Sequence, residues 1–363
     1  MLDKKSLNTF LADKGLDAML VSSVSNISYL SYYFGFSPLE RDAYLLFTHD
    51  NRYIFTNPLY SHEVTSQSND MHIIEHTKTN PFPKNLAKIL SQEKLENIGF
   101  ENDNITVLEY LKMTSATPAH FIAVSLDQLR TSKTHDEISK IKQACEIGDK
   151  ALATIKKQIN PGITEKKLAS FLELAIKKLG ADLAFPTIIA FGKNSAIPHH
   201  HTDDTKLKTQ DIILMDFGVR YESYCSDMSR TFFIGKPSKK QKDCYITVLK
   251  SQTESVASIK NRLSKKQTVD AEKVDRIARE YITQRDYPSI PHSVGHGIGI
   301  EVHEPPSLSP NSTDILSEGM VFSIEPGIYL PEEFGVRIED LFTIENNKLI
   351  QLTQSPVSLE VLP

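Results

Sequence analysis

The segment 211–234, DIILMDFGVRYESYCSDMSRTFFI, decides the fold of the larger part of this chain. Its first apolar run ends at Asp216, and a second β-rich run follows Asp227. Short apolar runs bounded by turn residues are typical of buried strands. Asp227 lies eleven residues after Asp216, a spacing that fits a hairpin directing both carboxylates to one place.

Two carboxylates buried side by side are unfavourable, because like charges repel strongly away from water and one of them has to stay protonated. A divalent cation removes this cost by supplying the opposite charge. Taken alone, Asp216 or Asp227 could equally be a solvated turn residue. Further ligands elsewhere in the chain are therefore needed before a metal site is predicted.

A histidine-rich segment follows at 291–306, PHSVGHGIGIEVHEPP. It contains His292, His296 and His303, interleaved with glycines. Glycine permits a close approach of the backbone, which keeps side chains out of a cavity. A lone histidine in an apolar strand is usually structural, but three within twelve residues favour a functional site.

Two glutamates complete the candidate set. Glu325 ends the run MVFSIE, and Glu339 lies in GVRIED, so both are expected in apolar strands. Burying a carboxylate there costs free energy unless it is paired or metal-bound. Arg337 is a candidate partner for such a carboxylate, which would be a purely structural role.

The set of one histidine and four carboxylates exceeds what a single ion requires, so the sequence predicts two divalent ions. Its oxygen-rich chemistry suits Mn²⁺ first, then Co²⁺, with Zn²⁺ and Fe²⁺ as alternatives. The predicted ligands are Asp216, Asp227, His296, Glu325 and Glu339.

Upstream, the segment 194–204, NSAIPHHHTDD, contains three consecutive histidines. The run could be a metal-binding surface loop. It could also direct one histidine into the cleft while the others stay in water. Spacing alone does not choose between these alternatives.

The first part of the chain alternates helix-like and strand-like patterns up to about residue 125. Leu7, Phe10 and Leu11 share one face of a short helix that ends at Gly15. Five apolar or β-rich runs are predicted strands: LDAMLVSS from 16, AYLLFT from 43, RYIFT from 52, IGF from 98 and FIAV from 121. This alternation indicates a small α/β domain.

Longer helices begin after residue 130. Thr134 and Glu137 form a capping box at the start of the first, and Thr164 caps the second. A third follows Pro237, and a fourth covers about 269–281. With the strands between them, they predict an α+β domain, so the chain divides into domains 1–128 and 129–363.

Composition narrows the function classes. The 363 residues carry a formal net charge of −5, which gives no basic excess for binding nucleic acid or an anionic membrane. No apolar stretch is long enough to span a bilayer, and no signal peptide is evident. Three cysteines without a CxxC pair favour a reducing compartment. A soluble cytoplasmic protein is expected.

Five motifs, in order, resemble the pita-bread metallopeptidase family, in its prolidase and aminopeptidase P branch. They are SAIPH, MDFG, SDMSRTF, HSVGHGIGIEVHE with SIEPG, and GVRIED. The resemblance covers nearly the whole chain, since LDAMLVSSVSNISYLSYYFGF is similar to the family's non-catalytic domain. It implies a creatinase-like N-terminal α/β domain followed by a pseudo-symmetric pita-bread catalytic domain, and a homodimer.

The resemblance also implies residue roles. The five predicted ligands match the family's metal ligands, and Asp227 and Glu339 would each contact both ions. His199 matches the histidine of SAIPH and would steady the substrate. His303 would bond the scissile amide and help to move protons, and Glu325 would accept a proton. Residues implied at the substrate are His292, Arg337 and Tyr329; Arg337 is similar to an arginine that bonds either a ligand carboxylate or the substrate terminus.

The implied activity is hydrolysis of the bond before proline in a small peptide with proline at its second position. The compact chain favours an Xaa-Pro dipeptidase, and an Xaa-Pro aminopeptidase acting on longer peptides is the alternative. A binding module that has lost its ligands is disfavoured because all five positions are filled. Creatine hydrolysis is disfavoured because that branch lacks the metal set, and methionine aminopeptidases usually lack the N-terminal domain.

Overall fold

The computed structural model describes residues 4–67 and 70–362. The chain separates into two compact units, residues 1–129 and 130–363. Within the described ranges, no helix combines the length and the apolar character that a membrane crossing requires.

The first unit is a mixed sheet with helices. Its six strands are ordered β4-β3-β2-β1-β5-β6; β2 is antiparallel to β1 and to β3, and the other pairs are parallel. The strands are β1 Ala18–Val21, β2 Ala43–Thr48, β3 Arg52–Thr56, β4 His72–Glu75, β5 Asn97–Phe100 and β6 His120–Ala123. The helices are α1 Lys4–Lys14, α2 Val24–Ser31, α3 Pro58–Gln67, α4 Phe82–Glu93 and α5 Val107–Ala116.

These elements match the predicted α/β pattern. Leu7, Phe10 and Leu11 are the buried residues of α1, and Gly15 follows that helix with a φ of 64°, a conformation that glycine adopts without strain. The central strand β1 is buried along its whole length. A short helix, α6 Gln128–Thr131, begins in the last two residues of this unit.

The second unit contains two helix pairs and several sheets. The helices are α7 His135–Ile155, α8 Glu165–Lys178, α9 Lys239–Ser264 and α10 Ala271–Thr283. The strands up to α9 are β7 Asp182–Leu183, β8 Ile188–Phe191, β9 Ile212–Phe217, β10 Val219–Tyr221, β11 Tyr224–Cys225 and β12 Met228–Ile234. The later strands are β13 Val269–Asp270, β14 Gly295–Gly297, β15 Glu304–Leu308, β16 Ile315–Leu316, β17 Val321–Ile324, β18 Gly327–Leu330, β19 Phe334–Arg337, β20 Asp340–Glu345, β21 Lys348–Gln351 and β22 Val361–Leu362.

Helix caps explain where the long helices begin. The Thr134–Glu137 capping box is formed at the start of α7, and the Thr164 side chain accepts a hydrogen bond from the Lys167 N–H at the start of α8. The fourth helix begins at Ala271, two residues later than predicted, because Val269 and Asp270 pair with β16 instead.

Each half of the second unit joins a helix pair to a sheet. One core surrounds the four-stranded sheet β22-β12-β9-β8 and includes residues of α7 and α8. The other surrounds the five-stranded sheet β15-β14-β17-β20-β21 and includes residues of α9 and α10. This repeated arrangement is the predicted pseudo-symmetric α+β fold.

Candidate active site

The predicted hairpin exists and carries both aspartates. Strands β9 and β12 are antiparallel, with Asp216 opposite Ser229, and Asp227 immediately precedes β12. A second small hairpin, formed by β10 and β11, occupies the connection between them. The two carboxylates are therefore at the same end of one sheet.

Three further candidate ligands come from the other half of the unit. His296 is the central residue of β14, whereas Glu325 directly follows β17 and Glu339 lies between β19 and β20. The sequence placed both glutamates inside strands; the structure places them just outside the ladders. There the Glu325 N–H bonds the Val294 carbonyl at 2.7 Å, and the Glu339 N–H bonds the Ser229 carbonyl at 3.1 Å.

The five side chains converge. His296 Nε2 lies 3.2 Å from Glu325 Oε1 and 3.8 Å from Asp227 Oδ2. Asp227, His296 and Glu339 offer ligand atoms that all lie within 4.8 Å of one another. The Nδ1 of His296 is 3.0 Å from the Gly297 carbonyl, to which it donates, so Nε2 is left as the ligand atom.

The electrostatics of this cluster call for a cation. Burial, followed by the charges of Glu339 and Asp216, raises the pKa of Asp227 well above its usual value. Burial and then Glu325 raise the pKa of Glu339 in the same way. Among the described residues, Asp216 Oδ1, Asp227 Oδ1 and Glu339 Oε1 are buried without a hydrogen-bond partner. Such oxygens fit divalent cations.

Arg337 fixes two of these carboxylates. Its Nη2 donates to Asp216 Oδ2, and its Nε donates to the Ser229 hydroxyl at 2.8 Å. Ser229 in turn donates to Glu339 Oε2 at 2.8 Å. Because Arg337 is buried, these bonds hold the carboxylates in place without solvent competition.

Four further predicted residues lie around this cluster. His199, His292 and His303 line its cavity, and the rings of His303 and His296 are 4.4 Å apart between centroids. His292 Nε2 bonds the Tyr329 hydroxyl at 2.9 Å, and Arg337 Nη1 donates to the same hydroxyl at 2.9 Å. Tyr329 is thus buried behind the cavity wall, in contact with two predicted site residues.

The cavity has a volume of about 740 Å³, large enough for a small peptide. Apolar side chains form one part of its wall, and histidines and the candidate ligands form another. The apolar and small residues include Phe185, Pro186, Thr187, Ile188, Pro198 and Val302.

Glycines beside His296 allow the strands to meet. A Cβ on Gly295 would lie 2.0 Å from the Ser323 carbonyl oxygen, and one on Gly297 would lie 2.1 Å from that of Pro305. Neither distance is physically accessible, so only glycine fits at these two positions.

Several residues that organise the site were not predicted. Arg230 is fully buried in β12 and donates to the Glu339 carbonyl and to Asp340 Oδ1, each at 2.6 Å. Ser229 links Arg337 to Glu339. The arginine within the apolar run of β12 was a signal that could have been used, because a buried guanidinium requires hydrogen-bond acceptors. The sequence offered no comparable signal for Ser229.

The chain matches known protein families over most of its length. Residues 139–346 match Metallopeptidase family M24, and residues 4–132 match the Creatinase/Prolidase N-terminal domain. The chain belongs to metallopeptidase family M24. The predicted family resemblance, fold class and metal-dependent peptidase class are therefore confirmed.

Three relatives illustrate the similarity. An Xaa-Pro dipeptidase of Pyrococcus horikoshii is 35% identical over 97% of this chain and 96% of its own. The structure of an Xaa-Pro dipeptidase from Bacillus anthracis matches with a TM-score of 0.89, 31% identity and 99% coverage of both chains. That of an X-Pro aminopeptidase from Thermotoga maritima matches with a TM-score of 0.83 and 34% identity, covering 96% of this chain and 98% of the other.

Proposed function

We propose that this metallopeptidase hydrolyses the bond before proline, acting as an Xaa-Pro dipeptidase. The observation that carries the proposal is the cluster of buried, unpartnered carboxylate oxygens beside His296, facing a cavity of peptide size. The relatives named as Xaa-Pro dipeptidases support the choice of bond. An Xaa-Pro aminopeptidase activity on longer peptides is the second candidate, because the similar Thermotoga maritima structure bears that activity in its name.

Two divalent ions, with Mn²⁺ as the first expectation, would be held by the five predicted ligands, and Asp227 and Glu339 would contact both. When bound, the ions would supply Lewis acidity for activating water and polarising the peptide carbonyl. Three ligands carry the unpartnered oxygens noted above, which supports their assignment. The ligands are Asp216, Asp227, His296, Glu325 and Glu339.

Glu325 is proposed as the proton acceptor. Burial raises its pKa, but the hydrogen bond and charge of His296 outweigh burial and lower the pKa to about 2. That pKa belongs to the metal-free protein; bound cations would likewise favour the ionised carboxylate, which could take a proton from the attacking water. Its position is held by the Ser323 hydroxyl, which lies 3.2 Å from Oε1.

His303 and His199 are proposed as the donors to the reacting amide. Burial, then the nearby His296, lowers the pKa of His303, so its ring is neutral at pH 7 and can relay a proton. The leaving nitrogen belongs to proline and carries no hydrogen in the peptide bond, so the leaving proline needs a proton from the enzyme. His199 lines the same cavity and would stabilise charge on the carbonyl oxygen.

His292, Arg337 and Tyr329 are proposed to shape the substrate side of the site. His292 lines the cavity. The Tyr329 hydroxyl connects His292 to Arg337 through the two hydrogen bonds described above. Since Arg337 is bound to Asp216 and Ser229, we assign it to orienting the ligand carboxylate. Of these three residues, only His292 is assigned to direct substrate contact.

A homodimer, a cytoplasmic location and a domain boundary between residues 128 and 129 complete the proposal. The boundary is supported by the compact units 1–129 and 130–363. Size-exclusion chromatography with light scattering would test the dimer. The location is supported by the unpaired cysteines, all three of them buried.

The proposed function is tested with Mn²⁺-loaded protein, an Ala-Pro dipeptide and an Ala-Pro-Ala tripeptide. Liberation of free proline from the dipeptide alone is the expected result. Release of alanine from the tripeptide at a comparable rate would instead establish the aminopeptidase. Failure to cleave either peptide with Mn²⁺, Co²⁺, Zn²⁺ or Fe²⁺ would reject both activities.

A further inference from the structure

Glu165 is a fully buried carboxylate outside the candidate ligand set. It is the first residue of α8, and it is 0% exposed. Its Oε1 accepts from the Phe191 N–H at 2.7 Å and from Asn194 Nδ2 at 2.9 Å. Its Oε2 bonds His200 Nε2 at 2.7 Å and the Asp203 N–H at 3.1 Å. Both oxygens are thus occupied by donors of the protein itself.

The four donors come from one continuous segment, 191–203, which leaves β8 and contains the three-histidine run. Phe191 lies at its start, Asp203 at its end and His200 beside His199. A single carboxylate therefore closes the segment into a loop. Its charge does not require a metal ion, because four N–H donors already stabilise it.

His200 and His199 have opposite environments within this loop. All three histidines of the run line the cavity that contains the candidate ligands, but His200 is buried and bonded to Glu165, whereas His199 is exposed. The two residues share a turn in which the His200 N–H bonds the Ile197 carbonyl at 3.2 Å. Holding the ring of His200 therefore also restricts the direction of the neighbouring His199 side chain.

The other side of the loop is held by β19 and its end. The Gly335 N–H bonds the Ser195 hydroxyl at 2.8 Å, and Arg337 Nη1 donates to the Pro198 carbonyl at 3.2 Å. The loop is thereby fixed at one side to the residues that orient Asp216, and at the other side to Glu165. A rigid support of this kind is what a catalytic donor needs in order to keep its geometry.

We infer that Glu165 is a positioning residue for His199. It acts by holding His200, and His200 in turn keeps His199 at the reacting amide. The inference rests on the proposed function, because it assigns a role within the same site. In the three-histidine run, His200 is bonded to the protein, and the inference assigns the substrate to the exposed His199. A separate metal site at Glu165, His200 and Asp203 is not inferred, since the carboxylate is already fully hydrogen-bonded.

The test is a double-mutant cycle on the Mn²⁺-loaded enzyme with Ala-Pro. Glu165→Gln is expected to lower kcat/KM on the order of 100-fold, mainly through kcat, with bound metal per chain unchanged. In the His199→Ala background, the same substitution is expected to change kcat/KM by less than about twofold. A general structural role would lower activity by the same factor in both backgrounds, and that result would overturn the inference.

Two further variants serve as a control and as an alternative for this test. Glu173→Gln, on the same helix and outside the cavity lining, is the matched control and is expected to keep wild-type activity within about twofold. If Glu165→Gln does not fold, His200→Ala removes the same link while Glu165 keeps its other three donors. The same loss of activity, absent in the His199→Ala background, is expected; wild-type activity in His200→Ala would overturn the inference.

A readout without catalysis separates this inference from the proposed function. In protein labelled with ¹³C-histidine, the His199 signal is assigned from its loss in His199→Ala. Glu165→Gln is expected to shift or broaden that signal, while the signal of His62, in the other compact unit, stays in place. An unmoved His199 signal overturns the inference, even if the enzyme is active. If the signal moves but the protein cleaves neither peptide, the inference is supported and the proposed function is rejected.

Discussion

Arg337 donates from Nη2 to Oδ2 of Asp216, while Oδ1 of the same carboxylate is buried with no hydrogen-bond partner among the residues described. One oxygen is thus committed to the protein and the other is left for a ligand. A guanidinium also donates through Nε and Nη1, so the same side chain reaches Ser229 and Tyr329. The orientation of Asp216 therefore depends on the planar geometry of arginine.

Arg337→Lys is expected to weaken metal binding by about 10–100-fold, because an ammonium group cannot maintain these separate contacts. Titration calorimetry with Mn²⁺ measures the change directly. Arg276→Lys, on the exposed side of α10, is the control and is expected to bind Mn²⁺ as the wild type does. Unchanged affinity in Arg337→Lys would show that its charge alone suffices.

Asp227→Asn is expected to abolish both metal binding and peptidase activity while the fold is retained. Asparagine has the shape of aspartate but lacks the charge needed by the cations, and it removes repulsion with Glu339. Metal content by mass spectrometry and hydrolysis of Ala-Pro test the loss, and circular dichroism tests the fold. Turnover near the wild-type rate would contradict the assignment of Asp227 as a ligand of both ions.

The metal-free protein is expected to lose stability as the pH rises from 5 to 9. Burial and like charges raise the native pKa values of Asp227 and Glu339 above their usual 3.8 and 4.5, so the native state binds more protons than the unfolded state. For His296, burial lowers the pKa, but Glu325 outweighs burial and raises it to about 9. The stability that this histidine contributes is therefore fully present below pH 6.5 and is lost as the pH rises through about 9. All three effects therefore have the same sign. The lowered pKa values of His292 and His303 oppose them only up to about pH 6.5, so the decline is expected to be steepest between pH 7 and pH 9.

Urea unfolding in EDTA at pH 5, 7 and 9 measures this dependence. The pKa of Glu325, about 2, has the opposite effect only in acid, below its usual 4.5. Saturating Mn²⁺ should remove this decline in stability, because the cations then balance the carboxylate charges that protons balance in the metal-free protein. A metal-free stability that increases from pH 5 to pH 9 would contradict the electrostatic account of the cluster.

Gly297→Ala is expected to destabilise the protein by about 1–3 kcal/mol and to reduce metal binding, because its Cβ would force the backbone at His296 away from Pro305. Gly148→Ala is the matched control. A Cβ there meets Phe217 and Val219 at 3.6 Å, ordinary contact distances, and alanine favours the helix by about 0.5–1 kcal/mol. Equal effects of the two substitutions in thermal unfolding would contradict the steric argument.

Local patterns in the sequence sufficed for much of the fold. Thr134 with Glu137 marked the start of α7, and the apolar run before Asp216 marked β9. These signals work because capping and burial involve residues close together in the chain. The family motifs then supplied an expectation that periodicity could not, namely that His199 is the histidine of the three-histidine run that belongs with the ligands.

Long-range choices were not available from the sequence. The sequence offered several carboxylates as partners for Arg337, including neighbours in its own motif. In the structure Arg337 pairs with Asp216, and Asp340 pairs with Arg230 instead. Nor did an apolar run ending in Glu325 indicate that the strand ends one residue earlier. Both outcomes depend on how two sheets meet, which local propensity does not determine.

The assembly of the site from both halves of the catalytic unit has a consequence for biosynthesis. Asp216 emerges from the ribosome well before Glu339, and His296 and Glu325 emerge between them. A nascent chain that carries only the aspartate hairpin exposes paired carboxylates with neither the histidine nor the glutamates to complete the site. With the proposed ligands, ion capture would therefore be a late event that reports completion of the second half, and a chain truncated before Glu339 would lack part of its ligand set.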